Sequence, residues 1–428
     1  MGNGLIWYRN DLRTKDHEAL KTACDNHNKV IAIYCFDPRH YTKTKFGFLK
    51  TGKFRARFLI ETVLQLRDNL HQLNIPLLIF QKNPESVIPE ILRKYEIDSV
   101  YFQKEWTQEE LEAETAIRQS AADTSFYSFY QQFLFHPEDI PYKSFSDIPR
   151  VFTSFRKACE KESEIRTLIE SQSNCSDFDI SENTEVPNLT DLGLQDFEVD
   201  GRTAFPFQGG ENNARDRIQE YFWETKNLKQ YKETRNGMVG PDYSSKLSAW
   251  LANGSISPKQ IYWEVKKFEE QHGSNQSTYW LIFELIWRDF FKYVSLKFGN
   301  KIFKIGGILD RTMEWDSDDD LLEKWIEGRT KYDFVNANMK EIASTGFMSN
   351  RGRQNVNSFW AKELKQDWRI GAAYFESLLI DYDVHSNWGN WMYNSGVGND
   401  PRDRKFNIES QADRYDPNQE FQNLWLNN

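Results

Sequence analysis

Apolar and polar positions follow two different patterns in the two halves of the chain. Within the first 130 residues, short apolar runs at 5–8, 30–36, 77–80 and 100–102 alternate with stretches of helical spacing at 51–73 and 84–95. This alternation is typical of βαβ units, so we predict an α/β domain with a doubly wound, Rossmann-like parallel sheet over residues 1–130. No GxGxxG or GxxxxGK[ST] motif follows a predicted strand, which argues against a standard dinucleotide or P-loop site.

The strand pattern disappears in the second half of the chain. Helical spacing is predicted at 211–227, 258–270, 277–298, 317–327, 333–343, 354–365 and 370–380. These segments predict an all-α domain over residues 209–428. Between the two domains we predict a connector over 131–208, because residues 151–200 hold 4 basic and 12 acidic side chains and few aromatic ones, the composition of an exposed segment.

The net charge of the chain at first argues against a nucleic-acid partner. There are 54 Lys and Arg against 64 Asp and Glu, a formal net charge of −10, whereas nucleic-acid binders usually rely on basic groups. However, residues 151–200 contribute −8, so the other 378 residues sum to only −2. The stretch from Lys340 to Arg369 holds 6 basic and 3 acidic residues and is locally positive.

Location and metal content follow from what the sequence lacks. No apolar run reaches the roughly 20 residues of a membrane helix, and the first residues do not resemble a signal peptide. The four cysteines are irregularly spaced, so we expect free thiols, a cytoplasmic protein and no metal site. HExxH and GxSxG motifs are absent, which gives no support to metalloprotease or acyl-transfer chemistry.

Three polar segments are candidates for chemistry. Ser244, Ser245, Lys246 and Ser248 precede an apolar helical pattern and form either a phosphate cradle or an ordinary helix cap. Glu284, Trp287 and Arg288 share one helix face, either as a site or as an ion pair beside a core tryptophan. Residues 381–396 combine carboxylates, amides and indoles that suit a heteroaromatic ligand, or else form a turn with core aromatics, with His385 structural.

Taken together, the motifs of this chain resemble those of the photolyase/cryptochrome family, and most closely its DASH branch. The motifs that carry the resemblance are WYRNDLR (7–13), DPRHY (37–41), FQGGENNARDRI (207–218), YKETRNGM (231–238), DYSSKLSAWLANGSISP (242–258), ELIWRDFF (284–291), NANMKEIASTGFMSNRGRQN (336–355) and DYDVHSNWGNWMY (381–393). The family fold, an α/β domain joined by a long connector to a helical FAD-binding domain, agrees with the partition predicted above.

The resemblance implies a non-covalently bound FAD in the helical domain. The residues that it places around the cofactor are Tyr231, Ser244, Ser245, Lys246, Leu247, Ser248, Phe347, Asn350, Arg353, Asp381, Asp383 and Asn387. Among them, Arg353 and Asp381 correspond to an ion pair beside the flavin, and Asn387 to the residue that faces flavin N5. The resemblance also implies that Trp391, Trp368 and Trp315 form an electron-transfer chain from the flavin to the surface. Each of these tryptophans taken alone is equally compatible with a place in the core.

The resemblance also implies a substrate cavity and a reaction. Trp287 and Tyr393 correspond to aromatic walls for a flipped pyrimidine dimer, with Glu284, Arg288 and Gln354 as further cavity residues. Gln354 and Tyr393 stand where photolyases of duplex DNA typically carry Met and Trp, a pattern of the DASH branch. We therefore expect a deoxyribodipyrimidine photo-lyase that repairs cyclobutane pyrimidine dimers in single-stranded DNA, or alternatively a blue-light photoreceptor that does not repair. A flavin redox enzyme with a small substrate is disfavoured, because no nicotinamide site is visible.

An antenna pigment and the binding partners complete the expectation. The resemblance implies 5,10-methenyltetrahydrofolate between the domains, with Glu109 or Glu110 meeting the folate, although a solvated helix face explains both residues equally well. The expected partner is dimer-containing single-stranded DNA, with weak binding of RNA or undamaged DNA. We expect a monomer.

Overall fold

The computed structural model describes residues 2–170, 176, 178 and 184–427. Its N-terminal part contains a five-stranded sheet in the order β3-β2-β1-β4-β5, and every pairing between neighbouring strands is parallel. The strands are β1 (Asn3–Trp7), β2 (Lys29–Cys35), β3 (Leu77–Phe80), β4 (Ile97–Gln103) and β5 (Ser125–Phe129). The predicted doubly wound parallel sheet is therefore confirmed, with its first strand at the centre.

Helices cover both faces of this sheet, which explains why its central strands are continuously apolar. The helices of the sheet region are α1 (Glu18–Asn26), α2 (Lys53–His71), α3 (Pro84–Lys94) and α4 (Gln108–Ser120). Successive β1 side chains point to opposite faces, so Ile6 is buried against α1 and α2, whereas Leu5 and Trp7 are buried against α3.

After β5, the described chain contains helices and no further named strand. Its helices are α5 (Phe152–Glu162), α6 (Glu211–Ile218), α7 (Tyr231–Thr234), α8 (Ser248–Ala252), α9 (Pro258–His272), α10 (Gln276–Phe298), α11 (Asp319–Ile326), α12 (Asp333–Thr345), α13 (Asn350–Ser358), α14 (Trp368–Leu378), α15 (Val384–Ser395), α16 (Ile408–Tyr415) and α17 (Glu420–Leu426). The segments Gln219–Glu224 and Phe359–Glu363 continue α6 and α13 as π-helix. The all-α prediction for this region is confirmed.

The acidic segment 151–200 is not uniformly exposed, contrary to the prediction. Phe152 and Phe155 on α5 are buried in the core of the helical region, and Leu189 and Leu192 are buried in a core cluster of the sheet. Its average composition is polar, but a few apolar side chains are sufficient to fix such a segment against both cores. Part of the segment lies outside the described residues.

One cysteine also differs from the prediction. Cys24 is disulfide-bonded, whereas Cys35 and Cys159 are free. Cys175 lies outside the described residues. The expectation of free thiols was wrong for Cys24, because spacing along a sequence does not show which thiols the fold brings within bonding distance. Within the described ranges, no helix has the length and apolar character needed to cross a bilayer.

Candidate functional site

An ion pair joins α13 to the segment that precedes α15. Arg353 Nη2 donates to both carboxylate oxygens of Asp381 at 2.9 Å, and Arg353 Nε donates to the Met348 carbonyl at 2.9 Å. The Asp381 side chain is almost fully buried. The expected pairing of these two residues is thus present, and it ties two helices together at the centre of the candidate site.

A second buried ion pair orients the start of α15. Asp383 is the N-cap of this helix and accepts from the Ser386 N–H at 2.8 Å, while Lys292 Nζ donates to Asp383 Oδ2 at 2.8 Å. Burial acts to raise the pKa of Asp383, but the charges of Lys292, His385 and Arg288 hold it well below its usual range. Asp383 is therefore a fixed negative charge at this position.

Asn387 lies one turn further along α15, on the same face as Trp391. Its Nδ2 donates to the Ala372 carbonyl at 3.0 Å, and its side chain is buried. Because this bond holds the amide in one orientation, the oxygen of the Asn387 side chain is the atom left for a ligand.

The loop before α8 is held in shape by a buried arginine that the sequence patterns do not predict. Arg217 Nε donates to the Ser245 carbonyl at 3.1 Å, and Arg217 Nη2 donates to the carbonyls of Pro241 and Ser244 at 3.0 and 3.3 Å. Lys246 within this loop has a left-handed backbone, with φ of 58°. No serine side chain caps α8, whose N-cap is Leu247, so the alternative of an ordinary serine cap is wrong.

The remaining residues expected around a cofactor lie on neighbouring elements. Tyr231 begins α7 and is buried, and Phe347 is buried directly after the C-cap of α12. Leu247 is also buried, whereas Ser248 and Asn350 are exposed at the first positions of α8 and α13.

Several buried polar atoms of the helical region have no hydrogen-bond partner among the described residues. They are Lys246 Nζ, Tyr243 OH, Glu341 Oε2, Asn355 Oδ1 and Trp391 Nε1. Lys246 Nζ lies 3.0 Å from the centre of the Tyr243 ring, and burial lowers the pKa of Lys246 while it raises that of Glu341 to about 8. Unpaired buried polar groups are costly unless a ligand satisfies them. A flavin dinucleotide, with phosphate oxygens, hydroxyls and ring nitrogens, fits this set of atoms.

The three tryptophans expected in the electron-transfer chain differ in burial. Trp391 and Trp368 are fully buried and Trp315 is half-buried. The Trp391 ring packs directly against the backbone of Gly371, which lies one helical turn after Trp368. The contact is so close that a Cβ added to Gly371 would be 2.2 Å from Trp391 Cη2. Asp316 and Gln366 form a β-bridge that brings the segments of Trp315 and Trp368 together.

Trp325 is a fourth indole in contact with this chain, which the sequence reasoning did not include. Its ring centre lies 6.3 Å from that of Trp391 at an interplanar angle of 74°. The position of Trp325 on α11 carried no motif that could have indicated this contact.

Aromatic and charged side chains on α10, α13 and α15 form a second part of the site. Trp287 and Tyr393 meet edge to face, with ring centres 5.9 Å apart at 88°. Phe152 stacks on Trp287 with ring centres 3.6 Å apart at 10°, so one face of the indole is already covered. Gln354 accepts from Arg351 Nη1 at 2.9 Å.

Glu284 is paired with a residue that the sequence reasoning missed. Arg235 Nη1 donates to Glu284 Oε1, and the pKa of Glu284 is raised by burial against the lowering effect of Arg235 and Arg351. Arg288 donates to the carbonyls of Gln132 at 2.7 Å and Leu251 at 2.9 Å. These two bonds hold the Arg288 guanidinium against the backbone, and the role of Arg288 as a cavity residue stays a prediction. The alternative of a Glu284–Arg288 ion pair is wrong.

The carboxylates expected at an antenna site are on the surface. Glu109 is 63% exposed and paired with Lys50, and Glu110 accepts from the Thr107 hydroxyl. The buried carboxylate in this region is Glu105, two residues after β4, which accepts from Gln103 Nε2 at 2.8 Å. Burial and the charge of Glu110 raise the pKa of Glu105 to about 7. The position of Glu105 just after a predicted parallel strand was the sequence signal that could have identified it as a candidate.

Comparison with known proteins places this geometry in a family. Residues 4–173 match the DNA photolyase domain model, and residues 280–428 match the model for the FAD binding domain of DNA photolyase. The chain is 47% identical to Cryptochrome DASH of Gloeobacter violaceus over 99% of its own length and 85% of that protein. It is 45% identical to Cryptochrome DASH of Xenopus laevis, over 98% of its own length and 81% of that protein.

A solved structure agrees with these relatives. The chain superposes on the crystal structure of the cryptochrome of Synechocystis sp. PCC6803 with a TM-score of 0.96 and 46% identity, covering 99% of this chain and 88% of that one. The parallel sheet, the helical FAD-binding region and the full-length similarity together show that this chain belongs to the DASH branch of the photolyase/cryptochrome family.

Proposed function

We propose that this flavoprotein uses blue light to repair cyclobutane pyrimidine dimers in single-stranded DNA. The arrangement of Trp287 and Tyr393 supports this proposal. Their rings stand nearly perpendicular, with ring centres 5.9 Å apart. Two perpendicular aromatic walls suit two neighbouring, covalently linked pyrimidines better than a single flat ring.

Polar groups that the resemblance places in the same cavity as Trp287 and Tyr393 suit the edges of the bases. Glu284 is half-buried, and the oxygens of its carboxyl accept hydrogen bonds. The Gln354 amide both donates and accepts. Arg235, Arg351 and Arg404, which donates to the Tyr393 hydroxyl at 3.0 Å, supply positive charge for the phosphates of the strand.

FAD, when bound and reduced, supplies on excitation an electron that splits the cyclobutane ring and then returns. For this reaction the chain needs to bind the dimer, exclude water and keep the charges around the cofactor fixed. Phe152 seals the outer face of Trp287, and the two buried ion pairs, Arg353–Asp381 and Lys292–Asp383, fix the charges. A single strand offers its bases without the free energy of opening a duplex, which suits a polar cavity with few aromatic wedges.

We propose that Trp391, Trp368 and Trp315 carry electrons from the surface to the cofactor when the cofactor is oxidised. The order of burial supports this role, since the first two indoles are fully buried and the third is partly exposed.

The decisive experiment illuminates the reduced holoprotein with dimer-containing oligonucleotides, single-stranded and duplex. We expect loss of dimers from the single strand, and slower loss or none from the duplex. Trp287→Ala and Glu284→Gln should slow repair, whereas Glu270→Gln, an exposed site on α9, should not. Dimers that persist in both substrates would overturn repair and favour the photoreceptor role without repair.

We propose further that methenyltetrahydrofolate binds as an antenna near Glu105 rather than at Glu109 or Glu110. A carboxylate that recognises a ring must be sheltered from water, and Glu105 is buried whereas Glu109 is exposed. Near-ultraviolet absorbance and mass spectrometry of the purified protein test this proposal. Glu105→Gln should lose the folate band while Glu109→Gln retains it, and equal folate content in both variants would refute the placement.

A further inference from the structure

A polar cavity of about 310 Å³ lies outside the site described above. It is formed by the loop after β1, the C-terminal end of α2 and helix α6, whose sequence belongs to the motif FQGGENNARDRI. The polar side chains that line it are Thr14, Lys15, Asn69, Gln72, Asn212 and Arg215. None of them contributes to the proposed repair chemistry.

Two cations at this cavity have no anionic partner among the described residues. Neither Lys15 nor Arg215 forms an ion pair within the part of the chain that the structure describes, and Arg215 Nε is a buried atom with no hydrogen-bond partner there. A buried guanidinium nitrogen without an acceptor is unfavourable. Among the described residues, Arg215 Nε therefore lacks an acceptor.

A buried carboxylate that binds residues of the cavity wall is already occupied. Glu211 is buried and accepts from the Thr14 N–H at 2.8 Å, the Thr14 hydroxyl at 2.9 Å, the Lys15 N–H at 3.1 Å and Asn69 Nδ2 at 3.4 Å. These bonds hold Glu211 to the loop after β1. Two cations against this one carboxylate leave the cavity with a net positive charge.

A chain of amides fixes the direction of Arg215 before any ligand enters. Asn212 Oδ1 accepts from Arg215 Nη2 at 2.7 Å, and Asn212 Nδ2 donates to Asn69 Oδ1 at 3.4 Å. The Asn212 N–H is itself held by Gln65 Oε1 at 2.6 Å. Because the Arg215 side chain is already ordered, less side-chain entropy is lost when a ligand binds.

We infer that this cavity binds a small molecule that carries a phosphate group. The Arg215 guanidinium and the Lys15 ammonium at one cavity, with amide side chains around them, match the several acceptor oxygens of a phosphate monoester. The volume is at the lower end of small-molecule sites, which suits inorganic phosphate or a mononucleotide and excludes a folded dinucleotide. This site is independent of the proposed repair function.

Isothermal titration of the FAD-loaded protein with inorganic phosphate, AMP and adenosine tests the inference. We expect saturable binding of phosphate and AMP and none of adenosine. Arg215→Gln and Lys15→Gln should each weaken AMP binding about tenfold, the effect of one lost charge-assisted hydrogen bond. Lys161→Gln, at a side chain that is 80% exposed, should leave it unchanged, and Arg215→Lys should retain most of the affinity.

Flavin absorbance and circular dichroism identify any variant that fails to fold. If Arg215→Gln does not fold, the Lys15→Gln and Arg215→Lys proteins provide the test. Absence of saturable AMP binding below roughly 10 mM would overturn the inference, as would equal affinity in the wild type and both glutamine variants. The affinity for dimer-free single-stranded DNA is measured in parallel. An Arg215→Gln protein that loses DNA binding but keeps AMP binding would show that the cavity serves the strand and not a small molecule.

Discussion

The buried pair Lys292–Asp383 gives a quantitative test of the electrostatics at the site. Lys292 Nζ lies 2.8 Å from Asp383 Oδ2, and the two side chains are 5% and 9% exposed. Lys292→Met removes the ammonium and keeps a side chain of similar length. Loss of one partner from a buried ion pair destabilises a protein by about 3–5 kcal/mol. Since Arg288 also lowers the pKa of Asp383, we expect a value near the lower limit, about 3 kcal/mol.

The destabilisation should depend on pH in a definite direction. In the wild type, the depressed pKa of Asp383 contributes stability above the unfolded value of about 3.9, and this contribution is lost as the pH falls through the folded pKa. In Lys292→Met, burial raises the pKa of Asp383, so the carboxyl takes up a proton at mildly acidic pH and the unpaired buried charge disappears. The difference in free energy of unfolding between wild type and variant should therefore increase from pH 5 to pH 8.

Urea unfolding followed by tryptophan fluorescence measures this difference. Asp383→Asn removes the charge but retains an N-cap for α15, because asparagine caps as well as aspartate. The double variant Lys292→Met/Asp383→Asn should thus be more stable than Lys292→Met alone. Lys301→Met breaks an exposed pair with Asp310 and should change stability by less than about 1 kcal/mol. A Lys292→Met effect that is as small as this control, or that does not vary with pH, would refute the reasoning.

Three further predictions concern electron transfer, packing and DNA binding. Trp391→Phe should block photoreduction of oxidised FAD while FAD stays bound, and unchanged photoreduction in absorbance measurements would disprove the role of this indole. Gly371→Ala should lower the melting temperature although alanine normally favours a helix by about 1 kcal/mol, because the new Cβ would meet Trp391 Cη2 at 2.2 Å; a stabilised variant would show that the indole moves freely. If Arg235, Arg351 and Arg404 each neutralise one phosphate, the plot of log affinity for single-stranded DNA against log salt should have a slope of about −2, and a slope near zero in fluorescence anisotropy would exclude these contacts.

Hydrophobic periodicity predicted most of the fold, and each element that it missed has a local reason. The four predicted strands carry apolar runs because helices cover both faces of the sheet. The fifth strand, Ser125–Phe129, was missed because its residues remain partly or fully exposed and form no apolar run. Helix α15 was missed because amides and indoles interrupt any simple apolar spacing along Val384–Ser395.

The sequence indicated which residues belong to the candidate site, but not which of them form hydrogen bonds or ion pairs with each other. A sequence motif showed that Glu284 and Arg288 share a helix face, yet the fold pairs Glu284 with Arg235, 49 positions away, and directs Arg288 to two backbone carbonyls. A helix face fixes which side chains are neighbours, whereas the choice of partner depends on which other chain segment is packed against that face. The same reason hides Arg217, whose acceptors lie 24 to 28 positions further along the chain. Residues that position a site by long-range bonds to the backbone therefore become visible only in the folded structure, while those that carry its motifs are visible in the sequence.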